Sequence, residues 1–228
     1  MRILSFGAGV QTTALLFLYP ERYDYVVFAD TGGEHESTYD YINNHILPFC
    51  KKHNIQFVRV FNKYDKTLYE YCWDKKIVPS MKYRDCTSKF KIAPIRSFVR
   101  NVLKAHRKNP IFQDIGISYD EFWRSSVSNV QYIINQYPLV DGKFTRPQLK
   151  RIIKILGYPC PQKSGCWFCP FAKEYPKEKL TKVIALEENN RRFPEILLRG
   201  MPSKRNKPLR EMTILDNPLP CNSGNCFI

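Results

Sequence analysis

The sequence predicts an α/β fold: a parallel sheet with helices on both faces, followed by a cysteine-rich C-terminal lobe. Three observations predict it. Short apolar runs alternate with segments of helical periodicity along the first part of the chain. The first run, ILSF, breaks into the turn GAG and resumes at once as an apolar segment rich in threonine. Beyond Gly157 the spacing of Pro, Gly and Cys excludes regular structure until Lys177.

The elements follow in order. Residues 2–6 read as a buried strand and Gln11 to Leu18 as a helix. YDYVVFAD (23–30) is a second strand that ends in the loop TGGEHES. A helix over 37–53 carries Tyr41, Ile42, Ile46, Leu47 and Phe49 at near-helical spacing. IQFVRVF (55–61) is a third strand. FKIAPIRSFVRNVLKAH (90–106) reads as a helix opened by Pro94 in its first turn. PIFQDIGI (110–117) is a fourth strand, and Ser118 or Asp120 caps the turn SYDEFWR after it. A last helix spans 177–192, and the tail from Gly200 is rich in Pro and Lys. This divides the chain into a nucleotide-binding domain, 1–156, and a cysteine-rich lobe with a basic tail, 157–228.

Bulk properties narrow the function. A chain of 228 residues buries one sizeable core. No apolar run reaches the ~18–20 residues of a membrane span, and the first residues read as a core strand rather than a signal peptide. A cytoplasmic protein that does not engage membranes is expected. Thirty-six Lys and Arg against 21 Asp and Glu give a net charge of +15, which suits a polyanionic partner. Eight cysteines in a cytoplasmic chain point to metal, cluster or sulfur chemistry rather than to disulfides.

The loop SFGAGVQTT is built for a phosphate. Gly7 and Gly9 admit close backbone approach at a helix N-terminus, and Ser5, Gln11, Thr12 and Thr13 add side-chain donors. It lacks the lysine of a Walker loop, and Thr12 stands where a dinucleotide fingerprint has its third glycine. An ordinary strand–turn–helix shares these features.

Five stretches in order resemble one family. SFGAGVQTT is similar to the pyrophosphate loop of the PP-loop, or adenine nucleotide α-hydrolase (HUP), superfamily. FADTGGEHESTYDYI (28–42), CTSKFKIAPI (86–95), IGISYDEFWR (115–124) and PCPQKSGCWFCPF (159–171) resemble further segments of its phosphoadenosine-phosphosulfate-reductase-like branch. The resemblance implies a HUP-type (Rossmann-like) sheet that binds ATP with Mg2+ and cleaves it between the α- and β-phosphates. By carry-over Ser5, Gly7, Gly9, Gln11, Thr12 and Thr13 hold phosphates, and Asp30 and Thr31 lie near the adenosine or magnesium. Asp30 reads equally as a strand-end carboxylate in a turn.

Cys166 and Cys169 form a C-x-x-C knuckle, with Cys160 six residues upstream. Cys86 stands where the resemblance implies a cluster ligand, and Thr87 where the cluster-bearing relatives carry a second adjacent cysteine. Four thiolates suit a [4Fe-4S] cluster or a zinc ion, and spacing alone does not separate them. The family pattern favours the cluster. Trp167, between two candidate ligands, shields that group. Cys221 and Cys226 form a second pair on the tail, able to carry a persulfide or to close a redox disulfide. Neither has the glutamate or histidine neighbours of the reductases' tail cysteine. Cys50 and Cys72 read as core packing.

Asp120, Glu121 and Arg124 follow the fourth strand. On a helical turn Asp120 and Arg124 share a face, either as an ordinary ion pair or to hold magnesium and steady a phosphate. Lys89 and Lys91 are candidate phosphate contacts, as is Arg84. The basic stretches 104–110, 190–194 and 199–210 suit a nucleic-acid backbone or a solvated face.

The expected activity is an ATP pyrophosphatase and sulfurtransferase acting on DNA or tRNA. It is similar to the DNA-phosphorothioation ATP pyrophosphatases, with a cysteine desulfurase or similar protein as sulfur donor. A phosphosulfate reductase and a zinc-knuckle nucleic-acid-binding module are the alternatives.

Overall fold

The computed structural model describes residues 1–172, 174–198 and 209. Five strands form one all-parallel sheet in the order β3-β2-β1-β4-β5: β1 Arg2–Phe6, β2 Tyr25–Ala29, β3 Gln56–Val60, β4 Ile111–Ile115 and β5 Ile133–Gln136. The order reverses between β1 and β4, which opens a crevice at their C-terminal ends.

The helices follow the alternation in the sequence. They are α1 (Val10–Leu18), α2 (Glu36–Tyr41), α3 (Leu47–Lys52), α4 (Leu68–Lys75), α5 (Asp85–Thr87), α6 (Ala93–Asn101), α7 (Pro138–Asp141), α8 (Arg146–Ile155) and α9 (Leu180–Glu188). Successive strand residues point to opposite faces. Leu4, Phe6, Val26 and Phe28 pack on one face with α1, α3, α7 and α8. Ile3, Val27, Ala29 and Val60 pack on the other with Ile95 and Val99 of α6. A third cluster gathers Leu68 and Cys72 of α4, Phe90, Trp167, Phe168 and α9.

Two helices differ from expectation. The predicted helix over 37–53 is α2 and α3 joined by a π turn, Ile42–Ile46. The helix expected to open at Pro94 begins at Asp85, passes through a π turn at Ser88–Ile92 and continues as α6. Pro94 therefore lies inside it, just after the π turn, where the local bonding is already rearranged around the missing N–H. The sequence reading did not single out α4, β5, α7 or α8. Two of these carry a capping box: Thr67 with Glu70 opens α4 and Thr145 with Gln148 opens α8. Both boxes are legible in the sequence.

Asp114 on β4 is fully buried. It accepts from Arg2 (2.7 Å) at the start of β1, from Arg22 (2.6 Å) and from the Tyr23 hydroxyl (3.2 Å). One carboxylate thus ties the strands to the β1–β2 connection. Asp114→Asn is expected to destabilise the fold by about 2–3 kcal/mol, because two guanidinium groups lose their counter-charge. Urea unfolding should show a lower midpoint with an unchanged slope.

Candidate nucleotide and thiol site

The turn between β1 and α1 is sharply bent. Ala8 takes a left-handed backbone, φ 54°, between Gly7 and Gly9. Such a residue costs about 1–2 kcal/mol, the kind of strain that gathers at ligand sites. Gly9 caps α1, and the Thr13 amide is the first to bond back, to Gly9 O at 3.0 Å. The amides ahead of it face out of the helix end, where an anion is favoured. Thr12 Oγ1 lies 3.3 Å from Gly9 O, and the buried Thr13 hydroxyl has no partner among the described residues.

A cavity of about 400 Å³ opens beside this turn, at the reversal of strand order. Ser5, Gly7 and Thr12 line it from β1 and α1, Ala29 from the end of β2, and Lys91 and Arg96 from the helix across the sheet face. Gly116, which the sequence reading passed over, closes the floor. A Cβ there would lie 2.6 Å from Thr12 Cγ2 and 3.0 Å from Thr12 N.

A second cavity, about 250 Å³, is lined by Cys86, Cys166, Cys169, Thr31, His35 and Arg84 among others. The loop bearing Cys166 lies against the loop after β2. Trp167 N donates to Gly33 O (2.9 Å), and His35 N donates to Gly165 O (3.1 Å). Thr31 Oγ1 is 3.3 Å from Cys166 Sγ. Lys91 lines both cavities and pairs with Glu34 at 3.2 Å. Burial opposes its charge, but the Glu34 carboxylate outweighs that and holds Lys91 protonated.

Three of the four expected thiols therefore meet. Cys160 does not join them; it packs against the cluster of α1, α3 and α8 on the other side. Among the described residues no group of three or more His, Cys, Asp or Glu is arranged to hold a metal ion. Burial, with Cys169 beside it, raises the Cys86 thiol; burial and Glu34 raise Cys166 further. Both are protonated as they stand, and a thiophilic cation would have to displace those protons. Cys86, Cys166 and Cys169 share one cavity, but among the described residues they are not arranged as a metal site and the expected set of four does not assemble. Trp167 is buried against Tyr69 and Phe168 beside the cavity. Cys50 and Cys72 are buried, with thiols pushed up to about 12 by desolvation, as core packing requires. Cys221 and Cys226 lie outside the described residues.

The acidic turn after β4 is arranged differently from the expectation. It is a 3-10 segment, Tyr119–Arg124, kinked at Glu121. Arg124 therefore pairs with Glu121 (2.6 Å) and not with Asp120. Asp120 accepts the Arg146 amide (3.1 Å) at the start of α8. Glu121 reaches Gln11 Nε2 (3.5 Å), while Gln11 Oε1 accepts from Arg146 (2.8 Å). Arg146, unmarked in the sequence, thus joins the β1–α1 turn to the acidic turn. Asp30 sits at the end of β2, where one oxygen accepts from Gly32 N (2.8 Å) and the Tyr39 hydroxyl (2.7 Å). Lys89 pairs with Asp85 at 2.8 Å on the surface and lines neither cavity.

No family model matches the sequence, and a search among curated proteins also found no match. The solved structures do contain the fold. A phosphoadenylyl-sulfate (PAPS) reductase from Candida auris, crystallised with phosphate, superposes with a TM-score of 0.54 at 14% identity, over 73% of this chain and 81% of the reductase. The chain shares the reductase fold. The five-stranded parallel sheet with helices on both faces is the architecture expected from the sequence. No helix among the described residues is long and apolar enough to cross a membrane.

Proposed function

We propose that this chain is a PP-loop enzyme of sulfur metabolism: an ATP pyrophosphatase that activates an acceptor for sulfur transfer, with nucleic acid as the acceptor. The observation that carries this reading is the junction of the two cavities at Lys91. A phosphate-type loop on one side and three thiols on the other give nucleotide and sulfur a common boundary.

In this reading the amides of residues 9–12 bind the pyrophosphate end of ATP, with Ser5, Thr12 and Thr13 as hydroxyl donors. Lys91 and Arg96 neutralise charge from the opposite wall. Asp30, Asp120 and Glu121 are the carboxylates offered to Mg2+, and Arg146 holds Gln11 in place. An acceptor oxygen attacks the α-phosphate, pyrophosphate leaves, and the acceptor is adenylated. A sulfur nucleophile then displaces AMP, which carries the acceptor oxygen away. Cys86, Cys166 and Cys169, which line the second cavity, are the thiols offered to sulfur; a [4Fe-4S] cluster or zinc ion would need them rearranged and a fourth donor added. The net charge of +15 favours DNA or tRNA, as in phosphorothioation systems. The sulfur would come from a donor such as a cysteine desulfurase, in the cytoplasm.

The reductase neighbour favours a second reading, in which the nucleotide arrives already sulfated and is reduced by thiols. Product analysis separates the two. Protein purified without oxygen is incubated with ATP and Mg2+, or with phosphosulfate and a dithiol. AMP and pyrophosphate from ATP, lost in Ser5→Ala, are expected. Sulfite from phosphosulfate with intact ATP would replace the proposal by the reductase reading. Iron, sulfide and zinc measured on the same protein, and again in Cys86→Ser, identify any bound group.

A further inference from the structure

The turn that follows β4 is inside out. Its ion pair points inward: Arg124 is 8% exposed and pairs with Glu121, which reaches the phosphate loop through Gln11, while Asp120 stays exposed. Its aromatic residues point outward: Phe122 is 55% and Trp123 66% exposed. Tyr119, also exposed, stacks on Phe122 with ring centroids 6.1 Å apart, and Phe122 meets Trp123 edge-on at 5.8 Å. Four residues on, Val127 is 94% exposed and lines the mouth of the nucleotide cavity. Burying these rings would ordinarily stabilise the fold by about 1.5–3 kcal/mol each, so packing does not explain their outward position.

The surroundings are basic. Tyr119 N donates to Phe144 O (2.7 Å), which sets the aromatic turn against the segment leading into α8. Residues 142–172 contain no Asp or Glu and six basic residues. Three of them, Lys150, Arg151 and Lys154, are exposed together on α8.

We propose that Tyr119, Phe122 and Trp123 form a stacking platform for the bases of a single-stranded polynucleotide, whose phosphates run along Lys150, Arg151 and Lys154. Exposed rings near a run of positive charge on α8 match the two recognition elements of single-strand binding: base stacking on aromatics and backbone neutralisation. An apolar protein partner would find no use for the basic flank. A duplex hides its base faces and would leave the rings unused. The inference rests on nucleic acid as the acceptor in the proposed function and specifies its form: a strand presented unpaired at the mouth of the nucleotide cavity.

The test is equilibrium binding of the full chain to fluorescently labelled 20-nucleotide DNA and RNA single strands and to the matching duplex, across a salt series. Single strands of one or both sugars are expected to bind at least tenfold more tightly than duplex. Phe122→Ala/Trp123→Ala should weaken single-strand binding roughly 10- to 100-fold, in line with the usual effect of losing stacked bases. Trp123→Leu, which keeps an apolar side chain but no ring face, should lose affinity as well; a purely apolar contact would survive it. Lys150→Ala/Arg151→Ala/Lys154→Ala should lower the salt slope by about 2. Circular dichroism confirms that each variant folds, and Trp123→Leu alone decides the matter if the double variant does not. Wild-type affinity in a folded Trp123→Leu variant, preference for duplex, or no binding at low salt would overturn the proposal. Binding needs no turnover, so a protein that holds single strands but leaves ATP intact refutes the pyrophosphatase and keeps this surface. ATP cleavage without strand binding does the reverse.

Discussion

Gly116→Ala is expected to weaken ATP binding by roughly 10- to 100-fold while leaving the protein folded. The added Cβ would stand 2.6 Å from Thr12 Cγ2 and 3.0 Å from Thr12 N. The first contact can be eased by turning a side chain. The second is backbone and belongs to the first turn of α1, whose amides would bind the phosphates in the proposed function. Relief requires α1 to shift away from β4 by a few tenths of an ångström. Overpacking of this kind costs about 1–3 kcal/mol, and the turn between β1 and α1 absorbs most of it. Gly9 is less constrained, since a Cβ there meets only the Ser164 hydroxyl at 3.3 Å and Gln11 Oε1 at 4.0 Å. Calorimetric titration with ATP, beside a thermal melt, checks the prediction. Unchanged affinity in a folded Gly116→Ala protein would show that the nucleotide does not use this turn.

Lys91→Met should have the largest effect on stability. Glu34 is 3% exposed; its Oε1 takes the Lys91 ammonium at 3.2 Å, and its Oε2 has no hydrogen-bond partner. Removing Lys91 strands a buried carboxylate, which costs about 3–5 kcal/mol. For a chain of this length that corresponds to a fall in Tm on the order of 10 °C. Lys91→Met/Glu34→Gln should recover part of the loss, because no buried charge remains. Melting curves of both variants check this. A double variant no more stable than Lys91→Met would mean that Lys91 contributes packing rather than charge. Nucleotide turnover should fall as well, because Lys91 lines both cavities.

The turn between β1 and α1 and the first three strands were legible because their signals are local. A short run rich in apolar residues reads the same wherever it lies, and Gly7-Ala8-Gly9 marks a turn by composition alone. β5 was not legible. Ile133–Gln136 is four residues long, and pairing with β4 is what makes it a strand. The acidic turn misled for a similar reason. Spacing puts Asp120 and Arg124 on one helical face, but the kink at Glu121 rotates the pair apart, and the Arg146 amide takes Asp120 instead. Arg146 and Gly116 carried no local signal, since each matters only through a partner more than a hundred residues away in the chain.

By itself the sequence determined the alternation of strand and helix, the sharp turn between β1 and α1 and the clustering of cysteines in the loop after Gly157. Each is written in residue type and short-range spacing, which local sterics and hydrophobic periodicity translate directly into structure. Only the tertiary structure decided which residues meet. It brought Cys86 to Cys166 and Cys169 and left Cys160 in another core. It placed Lys91 between two cavities, and it turned Phe122 and Trp123 outward. Those outcomes depend on the crossing of chain segments remote in sequence, where parallel pairing and the burial of both sheet faces set the geometry.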